Sequence, residues 1–377
     1  MKRILFLITS LNGGGAERIL LTLVNELCKK SQLDITVMAL FGGGIYENML
    51  DSRIHYRAVF SGKNDNKIRA LVKRIQLKML CILDEKFLYR NIVCDKYDVE
   101  VAFLEGLPTK IIAGASGKKA MKCAWIHTNL KMHPYSTNAF RNVMHEETCY
   151  RRFDKVFCVS EDVRKAFEEK YACSAHVLYN PIDSKEIERK STLYDVESLA
   201  GCHIEMVSVG RMVEQKGFDR LINIIARLKA DGFNFGLKLI GDGILRDQLA
   251  EQAERMKVND IIDFVGFTEN PYPYVAKADL FVCSSVTEGF STAVSESVIL
   301  GTPVITTKCA GMEEIFGDSK CGLIVENSEE ALYKGLKSIM ENPEILSLYT
   351  EECLKRKPFF EIENTVSKVL SAIEIEK

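Results

Sequence analysis

The sequence predicts two doubly wound α/β domains facing one another across a cleft, and three observations carry that prediction. The chain has 377 residues, which at the usual ~100–200 residues per domain is two domains or three. Short, continuous, β-branched apolar runs alternate along it with amphipathic helical patterns, as in a parallel sheet covered on both faces. The alternation stops once, at Asn180-Pro181-Ile182-Asp183, and restarts at IEMVSVG (204–210). Domains of 1–183 and 184–360 follow, joined near 181–200, with a C-terminal helix at about 361–377 free to pack back on the first. A ligand is then expected in the cleft outside the strand C-termini.

RILFLIT (3–9) is the first strand, and Gly13-Gly14-Gly15 turns it into a helix with Ile19, Leu20, Leu23, Val24 and Leu27 at i, i+3, i+4 spacing. DITVMAL (34–40), VEVAFL (99–104), CAWIHT (123–128), KVFCVS (155–160) and HVLYN (176–180) continue the first sheet. Between them, NKIRALVKRIQLKMLCIL (66–83) reads as a helix with five basic and no acidic residues. At about 100° per residue, Ile68, Leu71, Val72, Ile75, Met79 and Ile82 share one face. Lys67, Arg74 and Lys78 flank one side of that stripe, Arg69 and Lys73 the other. Two readings fit: a core-facing helix with a solvated basic rim, or a helix lying in an anionic membrane surface. In the second half the strands are IEMVSVG (204–210), GLKLIGDG (236–243), IIDFVGF (261–267), LFVCSS (280–285), PVITT (303–307) and GLIVE (322–326), each followed by a helix or turn.

Composition removes several classes. With 47% hydrophobic and 27% charged residues the chain is neither disordered nor fibrous. No apolar run approaches the ~18 residues of a membrane span. Lys2 and Arg3 before ILFLI (4–8) imitate a signal peptide, but the run is too short and Asn12 with three glycines follows it. A cytoplasmic protein is expected. The 12 cysteines include no C-x-x-C pair, so buried free thiols are expected rather than a disulfide framework or a metal site. Residues 1–183 hold 28 Lys and Arg against 20 Asp and Glu, and residues 184–377 hold 22 against 32. A basic first half points to an anionic partner. No aromatic-basic RNA motif appears, so nucleic acid is not expected. The same balance favours peripheral contact of 66–83 with an anionic membrane.

The motifs narrow the chemistry further. No two aspartates stand two residues apart, so the D-x-D pair that holds a metal on a nucleotide is absent, as is a G-x-x-x-x-G-K-[ST] loop. Arg18 occupies the third glycine position of G-x-G-x-x-G, and the second strand ends Leu40-Phe41-Gly42 without a ribose-binding acid, which argues against a nicotinamide dehydrogenase. What remains at Gly14-Gly15 is a turn whose backbone a ligand can approach, with a helix N-terminus behind it that favours negative charge; a tight turn for packing alone is the alternative. Gly210-Arg211 and Lys216-Gly217 place two cations around a strand-to-helix turn, a diphosphate clamp that needs no metal. Glu288-Gly289-Phe290-Ser291-Thr292 follows a buried strand, and Glu296 lies on the helix that begins near Ser291. Helix-start amides suit a phosphate and the two carboxylates suit hydroxyls of a sugar and a ribose, although either Glu alone is also what caps a helix.

These stretches, with GRMVEQKG (210–217), GDGILRDQL (241–249), VGFTENPYPYVAKADLFVCSSVTEGFSTAVSE (265–296), GTPVIT (301–306), GMEEI (311–315) and GGGAER (13–18), resemble glycosyltransferase family 4, retaining enzymes of the two-domain GT-B fold. The resemblance covers essentially the whole chain and is strongest from Val209 to Val325. It implies that Arg211 and Lys216 bind the donor diphosphate, that Glu288 meets the transferred sugar and Glu296 the ribose, and that Gly14-Gly15 face the phosphates from the other domain. It implies further that Gly289, Phe290, Ser291 and Thr292 line the donor site, that Phe267 and Thr268 hold the base, and that His127 stands beside the donor sugar. His127, Glu288, Arg211 and Lys216 are the implied catalytic set; Glu105, at the end of VEVAFL, is a weaker acceptor-side candidate. Ala310 departs from the family, where many relatives have glycine before Gly311.

The activity implied is metal-independent, retaining transfer of a hexose or N-acetylhexosamine from a nucleotide-diphosphate sugar, uridine ahead of guanosine, without a cofactor. The expected acceptor is a saccharide, lipid-linked if 66–83 meets a membrane, in cell-surface polysaccharide synthesis. A sugar-nucleotide epimerase, a phosphorylase or a non-catalytic accessory subunit of the same fold are the alternatives.

Overall fold

Seven parallel strands build the first sheet of the computed structural model: β1 (Lys2–Ile8), β2 (Leu33–Phe41), β3 (His55–Phe60), β4 (Val99–Ala102), β5 (Met121–Ile126), β6 (Lys155–Cys158) and β7 (His176–Val177). Their order is β3-β2-β1-β4-β5-β6-β7. Six more build the second: β8 (Ile204–Val209), β9 (Phe235–Ile240), β10 (Ile262–Gly266), β11 (Leu280–Cys283), β12 (Val304–Thr307) and β13 (Gly322–Val325), in the order β10-β9-β8-β11-β12-β13. The structure describes residues 1–60, 67–117, 120–199 and 201–373. They form two units, Met1–Ile182 with Glu363–Lys377, and Asp183–Ile362.

Central strands are buried on both faces because helices cover both sides. β1 pairs residue for residue with β2, from Lys2 opposite Leu33 to Ile8 opposite Ala39, and with β4 from Ile4 opposite Val99. On one side of this sheet Leu5, Leu7, Met38 and Leu40 pack with Ile111 and Ile112 of helix Leu107–Ala113. In the second unit Met206, Leu237, Leu239 and Val282 meet Leu221, Ile222, Ile225 and Leu228 of helix Phe218–Ala230. The strand that sequence reading misses is β3, an edge strand whose residues are half-buried or exposed; His55 and Arg57 interrupt the apolar run that marks the others.

Three differences from the predicted elements bear on function. The first-half strands end before their apolar runs do, which leaves Glu105 and His127 in the loops after β4 and β5. Lys216 closes a 3-10 turn, Glu214–Lys216, and the helix itself starts at Phe218. The stretch read as a polar linker contains helix Ser184–Ser191, capped by the Asp183 carboxylate on the Glu186 amide at 2.9 Å. Helix Ile362–Ala372 is tied to the first sheet through Lys155, whose ammonium donates to the Ala372 carbonyl at 2.8 Å, and Lys2, which donates to Ile373 at 3.2 Å. Cations on the last carbonyls complement the negative end of the helix dipole.

Helix Lys67–Ile82 turns its stronger apolar face outward. Leu80 is buried and Leu77 and Cys81 pack on the first core, while Leu71, Val72, Ile75, Met79 and Ile82 are exposed. The side chains of Lys67, Ile68 and Arg69 lie outside the described residues. Each exposed side chain forgoes the roughly 1.5–3 kcal/mol that full burial contributes, so the core-facing reading of this stripe does not hold.

Candidate functional site

In each unit the strand order reverses at one point, between β1 and β4 and between β8 and β11. Ligands of open α/β sheets bind outside the strand ends at such points. Gly13-Gly14-Gly15 and Glu105 follow β1 and β4; Gly210-Arg211 and Glu288 follow β8 and β11. These sequence-selected residues fall at the two switch points, whereas His127 follows β5 and Phe267 and Thr268 follow β10.

In the second unit Lys216 and Glu288 form an ion pair, Nζ to Oε1 at 2.6 Å. The Ser285 hydroxyl donates to the same oxygen at 2.6 Å. Burial works against the Lys216 ammonium, yet the adjoining Glu288 carboxylate more than offsets it and carries the lysine above its ordinary range. Arg211 is exposed and near enough for its charge to oppose that of Lys216. Two cations and one carboxylate thus stand together after β8 and β11, an arrangement whose positive charge suits an anionic ligand.

The loop that carries Glu288 is held from below by residues that sequence reading did not single out. Arg220, on helix Phe218–Ala230, donates to the Ser284 carbonyl at 2.8 Å and to the Ser285 carbonyl at 2.6 Å. Thr307 also donates to Ser285 at 2.6 Å, Gln215 to Thr287 at 3.0 Å, and Asn327 to Val286 at 2.7 Å. Gly217 has φ +61°, and a Cβ there would lie 2.3 Å from the Ser284 carbonyl oxygen. No local pattern announces Arg220, because its partners are 64 and 65 residues away.

Ser291 caps helix Thr292–Ile299 by accepting from the Val294 amide at 3.4 Å. Its hydroxyl is therefore occupied, while the amides of Ser291 and Thr292 precede the first intrahelical bonds. Gly289 and Phe290 are buried and lie against Gly311, whose added Cβ would sit 2.8 Å from the Gly289 carbonyl. Glu296 is buried on the same helix, with the Tyr272 hydroxyl 3.3 Å from its Oε1. Phe267 is 60% exposed and Thr268 half-buried just beyond β10, separate in sequence from the Glu288 loop but on the same strand-end edge.

The first unit's switch point is built differently. Glu105 is buried, and one carboxylate oxygen accepts from both the His127 amide (2.6 Å) and the Thr128 amide (2.9 Å); the other accepts from the Tyr135 hydroxyl at 3.0 Å. Burial pushes the carboxyl up, against the lowering effect of those bonds. Through its three hydrogen bonds to the chain, Glu105 ties itself to the loop that carries His127. Glu146, which sequence reading passed over, does the same further along by accepting from Ser136 at 2.5 Å and Thr137 at 2.6 Å.

The His127 ring is 4.9 Å from Phe103 and 6.2 Å from Trp125, centroid to centroid, nearly parallel to the latter. Burial lowers its pKa to about 3, and a hydrogen bond to the Phe103 backbone offsets this only in part. Its Nε2 has no partner among the described residues. His127 is thus a neutral imidazole with a nitrogen still to be satisfied. Gly14 is the N-cap of helix Gly15–Leu27 with φ −81° and ψ 168° and, having no side chain, makes no side-chain cap bond to it.

Comparison with known proteins places both halves. A model described as Glycosyltransferase Family 4 matches residues 13–186, and one described as Glycosyl transferases group 1 matches residues 197–354. A curated Campylobacter jejuni protein, N-acetylgalactosamine-N,N'-diacetylbacillosaminyl-diphospho-undecaprenol 4-alpha-N-acetylgalactosaminyltransferase, is 27% identical over 376 residues and covers 96% of each chain. A second from that organism, an alpha-1,4-N-acetyl-D-galactosaminyltransferase acting on GalNAc-alpha-(1->4)-GalNAc-alpha-(1->3)-diNAcBac-PP-undecaprenol, is 26% identical over 99% of this chain and 98% of its own. Among solved structures, Anabaena HepE in complex with UDP and glucose superposes with a TM-score of 0.75 at 18% identity, covering 99% of this chain and 100% of that one.

Proposed function

The chain belongs to the glycosyltransferases of the GT-B fold, its first half a Family 4 domain and its second a group 1 domain, and from that premise we propose that it transfers a hexose or N-acetylhexosamine, with retention and without a metal, from a UDP-sugar to a lipid-linked saccharide. The observation that carries this reading is the Lys216–Glu288 pair at the β8/β11 switch point, a cation held ready beside helix-start amides. The relatives named for undecaprenol-linked substrates support the acceptor class, and the neighbour solved with UDP and glucose supports uridine.

In the proposed reaction the bond between the anomeric carbon and the β-phosphate oxygen breaks while the acceptor oxygen bonds to the same face of that carbon. The acceptor proton passes to the leaving phosphate, and UDP departs. Lys216, Arg211 and the amides at Ser291 and Thr292 stabilise the charge that develops on the diphosphate, a preorganised effect that commonly dominates catalysis. Glu288, freed from Lys216 by the diphosphate, orients sugar hydroxyls; Glu296 holds the ribose. His127, neutral at working pH, accepts a hydrogen bond at Nε2 from a sugar hydroxyl and carries no proton through the reaction. Products enter surface polysaccharide assembly at the membrane face where the acceptor is anchored.

The test is an assay of a UDP-sugar panel against an undecaprenyl-diphosphate-linked saccharide, with and without chelator, read by mass and by the anomeric coupling of the product. One added sugar in the α configuration, unchanged by chelator, is expected. A new UDP-sugar without acceptor identifies an epimerase, and phosphate-dependent release of sugar phosphate identifies a phosphorylase. Absence of nucleotide binding identifies an accessory subunit.

A further inference from the structure

Helix Lys67–Ile82 carries two apolar faces, and only the weaker one is used by the fold. Leu77, Leu80 and Cys81 point to the first core, and Lys73 places its ammonium 5.1 Å from the centre of the Phe41 ring. On the opposite side Leu71, Val72, Ile75, Met79 and Ile82 are 57%, 45%, 51%, 55% and 78% exposed. At about 100° per residue they occupy one arc of a little over a quarter of the circumference. Contiguous exposed apolar surface of this kind marks a binding face. Arg74 and Lys78, both exposed, border the arc, and the segment contains no acidic residue.

We propose that this helix seats the first unit on an anionic lipid bilayer, the outward stripe at the acyl boundary and Arg74 and Lys78 among the headgroups. Charge complementarity selects the occupant. A second copy would bring an equally basic helix against this one, whereas an anionic bilayer offers apolar depth and negative charge together. At ~1.5 Å per residue the sixteen-residue helix is also shorter than the ~30 Å of a bilayer core, and among the described residues no helix is long and apolar enough to cross a membrane; it lies on the surface. The fold fixes the helix for this load. The buried Lys110 donates to the Leu80 carbonyl at 3.1 Å and to Cys81 at 2.6 Å, which joins the helix end to the sheet-packed helix Leu107–Ala113.

The probe is mixed phosphatidylglycerol–phosphatidylcholine vesicles against pure phosphatidylcholine vesicles, at low and high salt, with the full chain. The sole tryptophan, Trp125, is buried, so Ile75→Trp supplies a clean fluorophore on the stripe. Its emission is expected to shift blue with anionic vesicles and to stay put with neutral ones. Arg74→Gln/Lys78→Gln is expected to weaken low-salt binding about 25-fold, at about fivefold per cation. Ile75→Glu/Met79→Glu is expected to abolish binding with the melting temperature unchanged, because both side chains already face solvent. Equal binding to neutral and anionic vesicles, or binding untouched by Ile75→Glu/Met79→Glu, overturns the proposal. So does a wild-type dimer that this double variant makes monomeric in the absence of vesicle binding, which assigns the face to a second copy. Vesicle binding is read without donor or acceptor, so its failure and a failure of the transferase reading are separately visible.

Discussion

The two switch points solve the same problem with opposite electrostatics. In the second unit the strand ends present charge: a lysine against a carboxylate at 2.6 Å on a loop fastened by Arg220. In the first they present neutrality: a histidine lowered to about 3 by burial on a loop fastened by a buried carboxylate. In the proposed transfer, a side that stabilises a leaving diphosphate needs charge that is already in place, whereas a side that receives hydroxyls needs directional groups and no competing charge. Substitutions are therefore expected to act on rate in the second unit and on loop geometry in the first.

The largest effect is expected from Lys216→Ala. It removes the cation and leaves Glu288 buried without its partner, and kcat for transfer should fall by ~10²–10³-fold, the usual scale for one preorganised donor. Lys216→Arg should not restore it, since the longer planar head cannot occupy the ammonium's place at 2.6 Å from Glu288. A fall in kcat/KM with kcat unchanged would reduce Lys216 to uniform donor binding and dissolve the contrast between the units.

Glu105 sharpens the other side. Glu105→Ala orphans two backbone amides and a hydroxyl, and at ~1–3 kcal/mol per unsatisfied buried group it should cost several kcal/mol in urea unfolding. Glu105→Gln keeps the single oxygen that accepts from His127 and Thr128, so stability and activity should remain near wild type. Loss of activity in Glu105→Gln at retained stability would show instead that the charge itself is catalytic.

His127 should be visible in acid. Its folded pKa lies below its unfolded value of about 6.5, so the neutral ring contributes stability that is present above about pH 6.5 and is lost as pH falls toward 3. Relative to His127→Gln, the wild type should lose up to ~1.4 kcal/mol per pH unit through that window. Glu105 acts in the opposite sense, since burial raises its carboxyl above the ordinary range, so the comparison has to be made within one background. Parallel curves for the two proteins would mean that His127 is protonated in the folded state and that the first unit carries charge after all.

The same contrast governs what was legible in the sequence. Lys216 lies in the turn after one apolar strand, and Glu288, Ser291 and Glu296 follow another as a loop, a cap and the helix it opens, so linear patterns mark both stretches. Arg220 and Glu146 escaped because Arg220 hydrogen-bonds across 64 residues and Glu146 reaches back from helix Val143–Tyr150 to the 3-10 turn before it, and nothing local marks such a residue. The amphipathic stripe of Lys67–Ile82 was legible as a stripe, but its direction was not. A second, weaker set of core contacts at Leu77, Leu80 and Cys81 decides which face turns inward. Edge strand β3 was missed because exposure of its sides removed the apolar run that betrays a buried strand.

The smallest effect on stability should come from the glycines, and it separates the two units once more. Gly217→Ala forces an L residue into φ +61° with its Cβ 2.3 Å from a backbone oxygen, a strain of at least ~1 kcal/mol that the fixed Ser284 carbonyl cannot relieve. Gly14 has an ordinary φ of −81°, and the nearest atoms a Cβ there meets are those of the Glu17 carboxylate, at 2.1 Å, the far end of a flexible side chain. Gly14→Ala should therefore shift stability by no more than ~0.5 kcal/mol. Its methyl nevertheless stands at the start of helix Gly15–Leu27, the end of a helix that favours an anion. If the amides there bind phosphate, UDP should raise the melting temperature of Gly14→Ala less than that of wild type while the unliganded proteins melt together. A drop in unliganded stability with the UDP response intact would make Gly14 a packing turn, and the first unit would then meet its ligand through Nε2 of His127 rather than through a helix dipole.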